Sequence, residues 1–178
     1  MNYRVGDTVV HWTHGLGSVI SIDEIHLAGN TQQYYVVEIE LLKLWVPVKD
    51  ADEGSIRFPA DSARFERLFD ILRQPGEPLP DNTFLRKNAI RERMQKRTPE
   101  GLCHLIRDLS DRSHLHPLNL DDSSSLLRAK KHLVDEWILS LGTERETALS
   151  ELDDLLQVDT PDQKAPSEEG LERSTKLA

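Results

Sequence analysis

The sequence lacks the residues that build disulfides, cysteine-rich metal sites and membrane spans. Of its 178 residues only Cys103 is a cysteine, so an intramolecular disulfide and a zinc site of several cysteines are both excluded. No apolar run reaches the roughly 18 residues that a membrane-spanning helix needs, and the N-terminus runs directly into polar residues. These absences predict a cytoplasmic protein that has no membrane partner.

Signatures of catalysis are missing as well. The sequence contains no Gly-x-Ser-x-Gly motif for a nucleophilic serine, and no pair of carboxylates stands out from the acidic background. The serines at 123–125 follow Asp121 and Asp122, which is typical of the start of a helix rather than of a catalytic set. We therefore expect a protein that is not an enzyme and that uses no cofactor.

The stretch VGDTVVHWTHGLGSVISI, residues 5–22, contains the strongest hints of chemistry. His11 and His14 are three apart, but a strand and the turn after it point such side chains in different directions, which disfavours a metal site. Gly15 and Gly17 precede a β-branched stretch, whereas phosphate-binding glycine loops lead into a helix. We interpret the histidines as strand and turn residues, and the glycines as the geometry of a hairpin.

Before Pro59 the sequence has the pattern of short β-strands. Tyr35, Val37 and Ile39 alternate with the residues between them, which indicates a half-buried strand. Short turns at 13–15 and 28–30 favour antiparallel pairing. The predicted fold class is α+β, beginning with a small antiparallel β-barrel of Tudor or SH3 size over residues 1–60. Its strands are expected at residues 7–12, 16–25, 33–40, 43–47 and 55–58.

After Pro59 the periodicity becomes helical, and a compact all-helical domain of four to five helices is predicted over residues 61–157. Asp61 should cap the first helix, the second should run from Asp81 or Asn82 to Arg97, and Thr98 should cap the third. After a loop at 113–118, the fourth should span 120–141 and end at Gly142, and a capping box at 143–146 should start the fifth. Residues 158–178 are acidic and predicted to be a disordered tail.

The net charge of −9 is unevenly distributed along the chain. Between Arg86 and Arg97 there are six basic residues and one acid, Glu92, whereas from Glu144 onward there are ten acids and four bases. A phosphate backbone responds to the electrostatic potential of the surface that it contacts rather than to the net charge of the whole protein. The basic helix is therefore a candidate nucleic-acid surface. The alternative left open is a solvated helix face.

An ordered series of short matches resembles the CarD/CdnL family of bacterial transcription regulators. The matches cover residues 1 to about 140 and are Val5-Gly6-Asp7-Thr8-Val9-Val10, His14-Gly15, Tyr34-Tyr35-Val36-Val37, Val46-Pro47, Ile56-Arg57, Leu68-Phe69-Asp70-Ile71-Leu72-Arg73 and, more thinly, Arg107-Asp108-Leu109 and the fourth helix. The resemblance implies a Tudor-like module that binds the β subunit of RNA polymerase. It also implies a helical domain that contacts promoter DNA, without strong sequence specificity, at the upstream edge of the transcription bubble, and so alters open-complex stability.

The residues that the family uses for these contacts are partly replaced. An arginine typical of the position before Val-Pro is Trp45 here, and the hairpin that carries a second arginine reads Ile25-His26. We keep Trp45 as a candidate polymerase contact, with plain packing as its alternative, together with Tyr35 and Val37.

The family's tryptophan wedge, which enters the minor groove beside the bubble, aligns with Thr83-Phe84. Phe84 keeps an aromatic face but lacks the indole N–H, and its alternative role is a hydrophobic helix cap. The candidate DNA contacts are Phe84, Arg86, Lys87, Arg91, Arg93, Lys96, Arg97 and Lys130.

The favoured hypothesis is a monomeric, non-enzymatic regulator of transcription initiation that resembles CarD. It binds polymerase through the barrel and promoter DNA through the face from Phe84 to Arg97. The main competitor is a diverged interaction module that has kept the fold and lost DNA binding. A hydrolase or metal enzyme that uses the histidines is a distant third.

Overall fold

The N-terminal part of the protein is a five-stranded antiparallel sheet. The computed structural model describes residues 2–27 and 30–157, so the predicted acidic tail and part of the turn at 28–30 lie outside the described residues. The strands lie in the spatial order β4-β3-β2-β1-β5. Their bounds are β1 (Thr8–His11), β2 (Gly15–Leu27), β3 (Asn30–Ile39), β4 (Leu42–Pro47) and β5 (Ile56–Arg57).

A core of its own stabilises this sheet. Tyr35, Val37 and Ile39 of β3 are all buried, as their alternation predicted, and they pack with residues of the other strands such as Val9 and Ile56. A short helix that was not predicted, α1 (Val48–Asp52), follows β4 and contacts β3, β4 and β5. Helical periodicity is recognisable over windows of about 11 residues or more, so a five-residue helix leaves no such pattern.

Gly15 and Gly17 shape the β1–β2 hairpin for two different reasons. Gly15 opens β2 with φ +86°, in the left-handed region that favours glycine. Gly17 is needed for space, because an added Cβ would lie 2.5 Å from the Glu38 carbonyl oxygen and closer still to the Ile39 side chain. The prediction that these glycines serve hairpin geometry is therefore confirmed.

Residues 61–157 form five helices around a second core. Asp61 and Thr98 cap their helices, accepting hydrogen bonds from the backbone N–H groups of Arg64 and Gly101 at 2.8 and 3.1 Å. Gly142 ends its helix in the left-handed conformation, as predicted. The helices are α2 (Ser62–Leu72), α3 (Thr83–Gln95), α4 (Pro99–Leu115), α5 (Leu120–Leu141) and α6 (Arg145–Leu156). None of the helices in the described ranges is long and apolar enough to cross a membrane.

Two local predictions in this domain are corrected. The loop expected at 113–118 begins later, because α4 continues to Leu115 and the Ser113 hydroxyl bonds back to the Ser110 carbonyl at 2.6 Å. The capping box at 143–146 is wrong: α6 takes Glu144 as its N-cap and has no side-chain cap hydrogen bond. Thr143 lies one position too early to serve as the cap.

The sheet and the helical domain are joined by a buried ion pair. Arg57 of β5 donates two hydrogen bonds to the Glu136 carboxylate of α5, at 2.6 and 2.8 Å. The same carboxylate accepts the Ala60 backbone N–H at 2.7 Å, and the Glu136 side chain is only 1% exposed. Lys131 of α5 adds a second link, 2.7 Å from Glu40 at the end of β3.

Histidines also meet at this junction. Contrary to expectation, the side chains of His11 and His14 do not diverge, since their ring centroids are 5.0 Å apart. His11 Nδ1 lies 3.1 Å from the Thr13 hydroxyl, and His132 of α5 packs against Gly15, where an added Cβ would lie 2.8 Å from the imidazole ring. Within residues 2–27 and 30–157, no three His, Cys, Asp or Glu side chains are grouped so that they could hold a metal ion.

His11 should make the stability of the protein depend on pH. Burial, followed by the charges of His14, Arg97 and His132, lowers the pKa of His11 from 6.5 to about 4. Between these two values the unfolded chain binds more protons at this residue than the folded one, so stability is lost as pH falls through the window. We expect His11→Gln to reduce the loss of unfolding free energy between pH 6.5 and pH 4, measured by urea denaturation.

The control is His116→Gln, which makes the same substitution at an exposed position of the helical domain and is measured in the same way. Equal pH dependence in the His11 variant and the unmodified protein would show that His11 does not carry this effect.

Candidate nucleic-acid interface

Helix α3 carries the basic run, and its start is fixed by the segment before it. Asn82 is the N-cap, and its side-chain oxygen accepts the backbone N–H groups of Phe84 and Leu85 at 3.0 and 3.1 Å. The proline-rich segment at 75–80 cannot continue a helix, and it packs on α4 instead, where the Glu77 N–H donates to Asp108 at 2.9 Å. The first turn of α3 therefore has a defined place on the domain.

The basic residues of α3 do not share one face. Successive helical residues turn by about 100°, so a run of basic residues is distributed around the helix. One side carries Phe84, Lys87 and Arg91, which are all exposed, with 71% of Phe84 accessible to solvent. The opposite side carries Arg86 and Arg93 and points into the domain. We call the set Phe84, Lys87 and Arg91 the Phe84 face.

Arg86 points into the domain, so the DNA contact predicted for it would require its guanidinium to leave the partners that it has in this structure. It is 5% exposed, and its Nε donates to the Asp122 carboxylate of α5 at 2.7 Å. Its Nη1 donates to the backbone carbonyls of Pro80 and Asp81 at 2.9 and 2.7 Å. Nε and Nη1 of the guanidinium are thus both engaged inside the domain.

Three more of the predicted contacts are engaged within the chain. Arg93 forms an ion pair with the buried Asp108, at 2.8 Å. The Arg97 guanidinium lies over the Trp12 ring of the sheet domain, 5.3 Å from the ring centroid. Lys130 of α5 lies 3.1 Å from an acid of α6. The candidate DNA surface is therefore smaller than the sequence suggested, since Arg93 and Arg97 are held by partners within the protein, whereas the pair of Lys130 is exposed and weak.

The remaining cations are exposed. Lys87 is 3.3 Å from Asp121, and both side chains are largely accessible, so solvent weakens this pair. Arg91 and Lys96 have no ion-pair partner among the residues that the structure describes. Lys87 and Arg91 follow Phe84 by about one and two turns on the same side of α3, which makes the Phe84 face a cationic surface with one aromatic side chain at its N-terminal end.

The candidate polymerase contacts on the sheet also include both buried and exposed side chains. Tyr35 and Val37 are 4% and 0% exposed, and β3 is paired on both sides, so neither their side chains nor their backbone is open to a partner. Their predicted contact role is not favoured by this burial, and it stays a prediction. Trp45 is 50% exposed on the edge strand β4, and its indole N–H donates to Asp23 at 3.3 Å. Leu42 on the same strand is also 50% exposed and was missed from the sequence.

Comparisons with known proteins agree with this two-part organisation. The family model described as CarD-like/TRCF RID domain matches residues 3–58, and the model described as CarD, C-terminal domain matches residues 67–153. A protein of Bacillus subtilis (strain 168) named "Putative transcription factor YdeB" is 25% identical over 150 residues, which cover 81% of this chain and 96% of that protein. Since the two models together account for most of the chain in the family's order, the protein belongs to the CarD family of transcription regulators.

Proposed function

We propose that the protein regulates transcription initiation by binding the β subunit of RNA polymerase through its sheet domain and promoter DNA through the Phe84 face. The observation that carries the proposal is the exposure of Phe84 on the same side of α3 as Lys87 and Arg91, which lie one and two turns after it, while the opposite side of the helix is buried. Family membership supports the role in transcription. The DNA contact and the identity of the bound polymerase subunit do not follow from family membership and are part of this proposal.

The chemistry of the Phe84 face suits DNA beside a transcription bubble. Lysine and arginine contact phosphates without reading the sequence, and an apolar side chain can enter the minor groove and separate stacked bases. Holding bases apart at the upstream edge of the bubble would stabilise the open complex. Phe84 offers its ring for this purpose and contributes no hydrogen-bond donor.

Two cations give only weak binding to free DNA. Each phosphate contact contributes about −0.9 to the slope of log affinity against log salt, so Lys87 and Arg91 together account for roughly −2. A contact this weak is useful when another module holds it near the promoter, because tethering raises the effective concentration. The buried link between Glu136 and Arg57 joins the two domains, so the polymerase-bound domain would bring the Phe84 face to the DNA.

The edge strand β4 is the surface that we assign to polymerase. An edge strand has unpaired backbone N–H and C=O groups, which a strand of the partner can use to extend the sheet. Trp45 and Leu42 are exposed apolar anchors on this strand. Because tryptophan stands where the family typically has arginine, we expect this contact to be more apolar and less sensitive to salt.

We expect Phe84→Ala to shorten the lifetime of the open complex by about fivefold or more, because aromatic–base contacts are worth about 1–3 kcal/mol each. The lifetime is measured as the decay of competitor-resistant complexes at saturating protein. Leu149→Ala is the matched control, since Leu149 is an exposed apolar residue on α6, away from the Phe84 face.

The outcomes separate the proposal from its competitor. An unchanged lifetime in the Phe84 variant, with polymerase binding intact, would favour an interaction module that has lost DNA binding. Failure of the unmodified protein to bind the polymerase β subunit in a pull-down would overturn the proposal as a whole.

A further inference from the structure

We propose that the buried ion pair between Arg86 and Asp122 is a positioning device that directs Phe84 toward the DNA. The inference rests on the proposed function of the Phe84 face, and it assigns to Arg86 a role other than phosphate contact. Arg86 and Asp122 touch no DNA in this scheme. They act through the first turn of α3.

The direction of Phe84 follows from the burial of Arg86. Residues two apart on a helix point about 200° away from each other, so turning Arg86 into the domain turns Phe84 out of it. The exposed fractions of the two residues, 5% for Arg86 and 71% for Phe84, agree with this geometry. Rotation of α3 about its axis would need the Arg86 guanidinium to leave its buried partners.

One guanidinium holds three parts of the domain together. Its bonds to the carbonyls of Pro80 and Asp81 fix the two residues directly before the N-cap Asn82. Its bond to Asp122 ties the start of α3 to the first turn of α5, where the Asn119 side chain in turn accepts the Asp122 backbone N–H at 2.8 Å. Asp122 is 3% exposed, so this anchor is shielded from salt.

Apolar contacts hold the middle and the end of α3, which leaves the ion pair to orient its first turn. The buried residues of α3 are Arg86 and Ile90, and Ala89 and Met94 pack partly buried against the same core. Farther along the helix, Arg93 is held by Asp108. Because the second anchor lies two turns away, losing the first should release the N-terminal turn while the rest of α3 stays attached.

The neighbouring acids Asp121 and Asp122 allow a matched test. Asp121 is exposed and pairs with Lys87 of the Phe84 face, so it competes with DNA phosphate for that lysine. Asp122 is buried and pairs with Arg86. The variants Asp121→Asn and Asp122→Asn each remove one negative charge from the same helical turn, so charge alone would make both bind DNA better.

We expect the two variants to change the open-complex lifetime in opposite directions. Asp121→Asn should lengthen the open-complex lifetime by about twofold, the scale of an exposed ion pair. Asp122→Asn should shorten it by about fivefold, approaching the loss in Phe84→Ala. Combining Asp122→Asn with Phe84→Ala should give no further loss, because both changes remove the same contact. Longer lifetimes in both single variants, or additive losses in the double variant, would overturn the proposal.

Amide hydrogen exchange tests the positioning step without polymerase or DNA. Asp122→Asn should speed exchange at the N–H groups of Phe84 and Leu85, which Asn82 caps, and leave Leu133 in the core of α5 protected. Asp121→Asn should change neither. Unchanged exchange at Phe84 in the Asp122 variant would overturn the positioning role. Faster exchange there, in a protein that leaves open complexes unaffected even when unmodified, would overturn the proposed function and keep the positioning role.

Arg86→Lys provides a second variant in case Asp122→Asn does not fold. Lysine keeps the charge, but its single ammonium cannot reproduce the planar fork that reaches Asp122 and the two carbonyls together. We expect faster exchange at Phe84 and a shortened open-complex lifetime. If the exchange rate at Phe84 and the open-complex lifetime both stayed as in the unmodified protein, the proposal would be contradicted, since a positive charge alone would then suffice to position Phe84.

Discussion

Glu136→Ala is expected to lower the free energy of unfolding by about 3–5 kcal/mol, because it removes a fully buried carboxylate and leaves the mostly buried Arg57 without its partner. Arg57 donates two hydrogen bonds to this carboxylate, and its own side chain is 19% exposed, so solvent compensates only in part. The Ala60 N–H loses its acceptor at the same time. The measurement is urea denaturation followed by far-ultraviolet circular dichroism.

Glu136→Gln and Glu100→Gln are the matched controls. Glutamine at 136 keeps the shape and can still accept the Ala60 N–H, so we expect a smaller loss than for alanine. Glu100 makes a bidentate pair with Arg64, but its side chain is 36% exposed, and a pair that accessible contributes about 1 kcal/mol or less. Equal losses at 136 and 100 would show that burial does not set the strength of the pair at Glu136.

The same change should loosen the link between the two domains. Arg57 belongs to β5 and Glu136 to α5, so the pair spans the junction directly. The link from Lys131 to Glu40 remains, but it is exposed and therefore weak. In the proposed function this junction sets the distance between the polymerase surface and the Phe84 face. A loosened junction would lower the effective concentration of Phe84 at the promoter even where both surfaces are intact.

The helical framework was predictable because its signals are local. Asp61, Thr98 and Gly142 act within one turn of their own positions, and each lies where the sequence placed it. The alternation of β3 likewise identified a buried row. That row contains Tyr35 and Val37, so the pattern that predicted the strand already argued against using these residues as contacts.

The charge pattern of α3 was harder to interpret because its partners are distant in sequence. Asp122 and Asp108 are far along the chain from Arg86 and Arg93, and only the packing of α4 and α5 brings them together. The sequence does, however, show that the basic side chains of α3 lie on different sides of the helix. Basic residues at 86, 87, 91 and 93 point in different directions on a helix, so they could not all have faced one DNA backbone.

Trp137 should be the apolar side chain whose removal costs most, with a loss of about 3–5 kcal/mol for Trp137→Ala. It is 1% exposed, and its ring centroid lies 4.4 Å from that of Phe69 and 6.1 Å from that of Phe65. The variant would leave a cavity where α2 and α5 meet, which the aromatic neighbours cannot fill. The free energy of unfolding is again measured by urea denaturation with circular dichroism, since Trp12 and Trp45 complicate fluorescence.

Trp137→Phe separates the contribution of the ring's volume to stability from the contribution of its N–H group. The indole N–H is buried and has no hydrogen-bond partner among the described residues, so it opposes folding by about 1–3 kcal/mol. Phenylalanine removes this unsatisfied donor and retains most of the aromatic packing. The stabilisation gained by removing the donor therefore offsets much of the free-energy cost of the smaller cavity. We expect a loss of about 1–2 kcal/mol. A loss as large as that of the alanine variant would mean that the indole N–H is paired in solution, and that Trp137 contributes through a hydrogen bond as well as through packing.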